Sequence, residues 1–259
     1  MNAVNSRTDL AGGLANSTSL AATVVVPTYN EAENISRLVP ELLALRENLT
    51  VIVVDDASPD GTGKLLDAFA HDFPQRVFPL HRAGKLGLGT AYLAGFQLAG
   101  ERGADCVVTM DADFSHHPRH ISALLDRITD ADLVIGSRYI RGGASVNSPP
   151  GRRVLSRTAN FISRAALGLK AHDVTAGFRI YRREMLAVLP LASIFSSGYS
   201  FLIETLYMIE RGGWRVVEAP IQFVDRTSGR SKISRSEIAK AMYTVARLSG
   251  RRLSGRRRR

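Results

Sequence analysis

Two carboxylates stand two residues apart at Asp111-Ala112-Asp113, directly after the apolar run Cys106-Val107-Val108-Thr109-Met110. In extended backbone, residues i and i+2 point to the same side, so both carboxylates can face one ligand. Paired hard oxygen donors suit Mg²⁺ or Mn²⁺, which proteins hold through one or two carboxylates while phosphate oxygens complete the shell. The chemistry such a pair predicts is the assisted departure of a diphosphate, whose developing charge the metal neutralises. An Asp-x-Asp spacing alone is a weak signal because it arises often by chance.

Three other polar clusters also follow apolar runs. They are Pro27-Thr28-Tyr29-Asn30-Glu31, Asp55-Asp56-Ala57-Ser58-Pro59-Asp60-Gly61-Thr62 and Gly136-Ser137-Arg138-Tyr139. Ser58 and Asp60 suit helix N-caps as well. Caps do not explain why Asp55-Asp56 and Asp111-x-Asp113 both sit where an apolar run ends.

The elements that must position these clusters alternate. Strand-like runs fall at 22–27, 51–55, 77–80, 106–110 and 133–136, separated by helical patterns at 31–47, 62–72, 88–101 and 117–128. Strand, helix, strand at this spacing predicts an α/β fold whose central sheet is mostly parallel with right-handed crossovers. Ligands of such sheets bind beyond the carboxyl ends of the strands, where the four clusters stand. Two glycine-rich segments mimic other sites. The stretch 60–65 lacks both the leading glycine and the final Ser or Thr of a phosphate-binding P-loop. Gly84-Lys85-Leu86-Gly87-Leu88-Gly89 has Tyr92 where a dinucleotide loop needs its third glycine, and reads as a loop over the site with Lys85 a phosphate contact.

The 259 residues, 45% of them hydrophobic, are ample for a single large domain. Cys106 is the one cysteine, so no internal disulfide framework exists, and its apolar neighbours mark it as a buried small hydrophobe. The net charge of +10 is concentrated: residues 247–259 carry seven arginines and no acid, and subtracting these seven leaves +3. Residues 1–20 are polar, without the apolar core of a signal peptide. The expected organisation is a flexible extension at 1–20, one domain at 21–249 and a basic tail at 250–259. No apolar stretch reaches the length of a membrane span.

Taken together and in this order, the four clusters, Gly177-Phe178-Arg179 and Arg226-x-x-Gly229-x-Ser231-Lys232 resemble the polyprenol- (dolichol-) phosphate mannosyltransferases of the inverting glycosyltransferase family 2. The likeness covers residues 22–248, and it implies a GT-A, Rossmann-like fold. Carried over position by position, it implies that Pro27, Tyr29, Glu31, Val54 and Asp56 hold the nucleoside. Asp111, Ala112 and Asp113 would hold the diphosphate and metal, and Arg138, Arg226 and Lys232 would contact phosphates. Asp113, Arg138, Arg226 and Lys232 are the expected catalytic set. Some members carry a glutamine two residues past the second Asp as a further ligand; here that position is Ser115. GDP-mannose is the implied donor, a polyprenyl phosphate the acceptor and an integral membrane protein a further partner. Transfer of glucose to the same lipid, or another family 2 glycosyl transfer to a different acceptor, is the alternative.

The residues suit that chemistry. A phosphate monoester is already ionised near pH 7, its second pKa being about 6, so an acceptor of this kind attacks without a general base. Glu204 is either a base or a core-edge glutamate, and the preferred reading has no base. His116 and His117 read as structural. At 100° per residue a helix at 152–169 sets Leu155, Ala159, Ile162, Ala166 and Leu169 opposite Arg153, Arg157 and Arg164. A second at 236–248 sets Ile238, Met242 and Val245 opposite Lys240 and Arg247. Core packing gives the same pattern, but the missing acids and adjoining arginines favour an anionic membrane surface, at its cytoplasmic face. A nucleic-acid binder would interleave aromatics with its basic residues, and no aromatic follows Tyr243.

Overall fold

The computed structural model describes residues 20–225 and 235–256; Arg226, Lys232 and Arg257 to Arg259 lie outside them. The expected strands form as β1 (Ala22–Thr28), β2 (Leu49–Asp55), β3 (Val77–His81), β4 (Cys106–Thr109) and β5 (Leu133–Ser137). Four more were not anticipated: β6 (Ala144–Val146), β7 (Arg179–Arg182), β8 (Val216–Pro220) and β9 (Gln222–Val224). β7 reads Arg-Ile-Tyr-Arg, too short and too charged at its ends to stand out as an apolar run. The main sheet has the order β3-β2-β1-β4-β7-β5-β8, and β6 pairs with β9 in a small second sheet. β7 runs antiparallel to β4 and β5, whereas the other pairs are parallel, so the mostly parallel α/β sheet stands as expected.

Helices cover both faces. Val24, Val26, Val51 and Val53 enter one core with α1 (Ala32–Leu45) and α4 (Ile121–Ile128), and Val25, Ile52 and Val54 enter another with α3 (Leu88–Glu101) and α7 (Ser200–Arg211). Two-sided burial is why these strands read as unbroken apolar runs. On α1 the buried residues Ile35, Leu38, Val39, Leu42 and Leu43 keep helical spacing. Burying a side chain of this size contributes about 1.5–3 kcal/mol. α3 lies so close to β1 that a Cβ at Gly95 would fall inside the Val25 side chain.

The remaining helices are α2 (Thr62–Asp72), α5 (Pro150–Leu167), α6 (Arg183–Val188) and α8 (Arg235–Arg256). α5 ends at Gly168, whose φ of +69° closes it, so Leu169 is a buried residue beyond the helix and not part of its face. α5 packs inside out. Its buried residues are Asn160, Ser163 and Leu167, while Val154, Leu155, Phe161 and Ile162 are more than half exposed. α8 continues past the expected end at 248 because Ser249 and Arg252 both donate to the Ala166 carbonyl at the end of α5. No helix among the described residues is long and apolar enough to cross a membrane.

Candidate active site

In the order β3-β2-β1-β4 the strands are neighbours, so their C-terminal ends place Arg82, Asp56, Tyr29 and Asp111 along one rim. Each exit is built locally. After β1, the Asn30 amide donates to Ser58 Oγ (2.9 Å) and the Glu31 amide to Thr62 Oγ1 (3.2 Å). The buried Glu31 carboxylate accepts from Asn34 Nδ2 at 2.6 Å. Pro27 is half-buried. Asp60 is a cap twice over: one oxygen accepts from the Thr62 amide and hydroxyl, the other from the Ala32 amide at the start of α1. Burial pushes its carboxyl up, but the Thr62 hydroxyl and these amides outweigh it, so its pKa lies below the ordinary value. Ser58 is a bridge and not a cap, tied to Asp55 through its hydroxyl and through its amide at 3.2 Å.

Asp55 is buried and engaged with Ser58 and Thr28. Asp56 reaches the rim, but Arg82 holds one of its oxygens and the Leu86 and Gly87 amides the other, at 3.1 and 3.3 Å. This clasp lays the 82–87 loop across the site and sets Lys85 Nζ 4.1 Å from the centre of the Tyr29 ring. The side chain of Val54 is fully buried in the core, so that residue can offer a ligand only its backbone.

After β4 the chain delivers the paired carboxylates. The Asp111 side chain is about one quarter exposed, and its amide donates to His116 Nδ1 at 3.1 Å. One Asp113 oxygen accepts from the Ser115 amide (3.1 Å) and hydroxyl (2.6 Å), a turn closed by Phe114 at φ +60°. Ser115 thus orients Asp113. Ala112 is buried between the two. His116 stacks on Phe178 and meets Phe223 edge-on, which pins the loop to its surroundings. Burial holds its pKa below the ordinary histidine value although Asp111 and Asp113 favour the charged form, and it reads as a structural, neutral ring. His117 accepts from the Arg119 amide.

Among the described residues no group of three or more His, Cys, Asp or Glu side chains could enclose a metal. Two oriented carboxylates at an open rim fit instead a divalent cation that shares its shell with substrate phosphates.

At the exit of β5, Arg138 forks onto Asp173 at 2.8 and 2.7 Å and reaches Thr175 at 3.0 Å. Burial alone would lower its pKa, yet the Asp173 carboxylate raises it above the ordinary arginine value, so it stays charged. What remains for a phosphate is that charge and the donors of Nη1. Arg179 is fully buried and donates to the carbonyls of Ala176, Leu202 and Val174, so it braces the core. Glu204 is also buried, its carboxylate accepting from the Phe195 and Ser196 amides. Arg226 and Lys232 lie outside the described residues, which stop at Asp225, itself held by Arg152 at 2.7 Å and Ser148 at 2.9 Å. Sequence reading missed Arg82, Asp173 and Arg152, because each meets its partner across a fold that no local spacing announces.

A mostly parallel α/β sheet with carboxylates gathered on its carboxyl rim is the fold shared with the solved glycosyltransferases below. The sequence pattern described as glycosyl transferase family 2 matches residues 23–189, and the chain belongs to that family as a glycosyltransferase. It is 49% identical over 214 residues to the polyprenol monophosphomannose synthase of Mycolicibacterium smegmatis, covering 82% of this chain and 81% of that one. It is 46% identical over 210 residues to the undecaprenyl-phosphate mannosyltransferase of Micrococcus luteus, covering 81% and 86%. Its fold matches glucosyl-3-phosphoglycerate synthase from Mycobacterium tuberculosis, solved with Mn²⁺, UDP and product, at TM-score 0.64 and 21% identity over 92% of this chain and 84% of that one. It also matches the mannosyltransferase PcManGT from Pyrobaculum calidifontis with GDP-Man and Mn²⁺, at TM-score 0.56 and 21% identity over 83% and 60%.

Proposed function

We propose that this glycosyltransferase moves mannose from GDP-mannose to a polyprenyl monophosphate, with inversion, at an anionic membrane surface. The observation that carries the reading is the oriented pair Asp111 and Asp113 at the rim of a chain whose relatives, nearly half identical to it, are named for mannose transfer to polyprenol phosphates. Asp111 and Asp113 would hold the Mg²⁺ or Mn²⁺, which neutralises charge on a departing diphosphate when bound. Tyr29, Glu31 and the backbone at Val54 would line the nucleoside. A nucleoside that uses the Asp56 carboxylate exchanges with the Leu86 and Gly87 amides. Arg138, Arg226 and Lys232 would position the phosphates against their mutual repulsion.

Glu204 is turned to backbone amides and Asp173 to Arg138, so neither is poised as a covalent nucleophile. A single displacement by the acceptor phosphate therefore fits best, and it inverts the anomeric centre. The exposed apolar residues of α5, with Ile238 and Met242 of α8, support contact with a membrane. The deciding assay crosses several nucleotide sugars with a short polyprenyl phosphate. β-Mannosyl phosphoryl lipid from GDP-mannose is expected; an α-linked product overturns the mechanism, and efficient UDP-glucose use with GDP-mannose idle overturns the donor.

A further inference from the structure

The carboxylate pair and Arg138 follow β4 and β5, which are not neighbours, because β7 lies between them in the sheet. No strand pairing of the main sheet therefore joins the two exits directly, and β9 joins them instead. On one side β9 pairs with β6, in the segment after Arg138, with Phe223 opposite Ser145. On the other side three successive residues hold the segment after Asp113. Gln222 accepts from Arg119 Nη2 at 2.9 Å, Phe223 bridges His116 in antiparallel register, and the Val224 amide donates to the Ser115 carbonyl at 3.3 Å.

At the middle of β9 the Phe223 ring touches both sides. Its centre lies 5.4 Å from that of the His116 ring, met edge-on, and 5.2 Å from the Arg138 guanidinium carbon. His116 Nδ1 accepts from the Asp111 amide at 3.1 Å, so the Asp111 backbone follows wherever that ring is held. A guanidinium within about 6 Å of a ring centre is attracted to the ring electrostatically. Tyr139 also lies near the Arg138 guanidinium, but as its chain neighbour it gives no tie to another strand. Phe223 is the ring that His116 and Arg138 share. We propose that Phe223 is a positioning residue for transfer, fixing the separation between the carboxylate pair, beside which the diphosphate departs, and the arginine that holds a phosphate; this rests on the function proposed above, which it deepens. An in-line displacement needs both partners in register, and misplacement by about 1 Å can slow it about a hundredfold.

Wild type, Phe223→Leu and Phe223→Tyr, each as the full chain, test it. Leucine keeps an apolar side chain and loses the ring, whereas tyrosine keeps the ring. Calorimetry with GDP and Mn²⁺ reads the carboxylate side alone. Transfer from GDP-mannose to a short polyprenyl phosphate, with both substrates saturating, reads the two sides together. Phe223→Leu should keep the GDP–Mn²⁺ affinity and melting temperature close to wild type while kcat falls more than about tenfold. Phe223→Tyr should recover most of that rate, since the ring and its contacts remain. GDP–Mn²⁺ affinity and melting temperature falling in step with kcat would make Phe223 a packing residue and overturn the proposal. An unchanged kcat in Phe223→Leu overturns it too, as does a Phe223→Tyr as slow as Phe223→Leu. Should Phe223→Leu not fold, Phe223→Met, whose flexible side chain fills irregular space, takes its place under the same criteria. An idle wild type sinks the proposed function and this inference with it; an active wild type matched by Phe223→Leu sinks the inference alone.

Discussion

Asp113 has one oxygen fixed by the amide and hydroxyl of Ser115, and the side chain is only partly buried. Asp113→Ala should lose nearly all turnover while the melting temperature moves little, since partly exposed substitutions usually stay within about 0.5 kcal/mol. Chelator should silence the wild type and excess Mn²⁺ restore it; full activity in chelator would remove the metal from Asp111 and Asp113. Cys106 gives a second test. Burial pushes its thiol up to about 12, so iodoacetamide at pH 8 should label it only after denaturant unfolds the chain. Labelling of the folded protein at the unfolded rate would contradict its burial. The carboxylate pair was legible in the sequence as a two-residue spacing at the end of an apolar run, although the fold sets it in a bend beyond β4 and not in extended strand. The use of Asp56 and Arg138 was not, since Arg82 lies 26 residues and Asp173 35 residues away. Such partners are chosen by the folded sheet and not by spacing.

Asp60 caps two helices whose starts lie 30 residues apart in sequence, Ala32 of α1 and Thr62 of α2. Losing one N-cap costs about 1 kcal/mol, so Asp60→Ala should lower unfolding free energy by about 1–2 kcal/mol, measured by urea titration. Its carboxyl is lower in the fold than in the unfolded chain. That contribution is therefore full above the unfolded value near 3.8 and fades as pH falls through the folded one. Wild type and Asp60→Ala should then converge in stability at acid pH; a constant gap would refute the cap. For α5 the helical period was legible but the direction of burial was not. Asn160 and Ser163 face inward because Asn160 bridges Thr175, the Val174 amide and the Ser156 carbonyl. Phe161→Ser with Ile162→Ser should leave the melting temperature within a degree or two and weaken vesicle binding. A helix buried by its apolar face would instead lose several kcal/mol.

Across the whole molecule, parallel strands made the rim foreseeable: every parallel strand delivers its last residue to one edge, so clusters after apolar runs had to meet there. The antiparallel insertion of β7 was hidden, and with it the reason why Arg138 stands one strand removed from Asp111. That rim has a further property. Three non-glycine residues in left-handed backbone, Asn30, Ala57 and Phe114, follow three neighbouring strands, β1, β2 and β4. For Ala57, at φ +56°, this conformation is unfavourable by about 1–2 kcal/mol. Ala57→Gly would relieve it while giving the unfolded chain about 0.4–1 kcal/mol of extra freedom, so thermal stability should hold or rise slightly. The turn between Asp56 and Ser58 would nevertheless gain compliance, and the nucleotide KM should rise with kcat less affected. Thermal screening would then score as harmless a substitution expected to loosen donor binding, because a melting curve does not register rigidity spent on recognition.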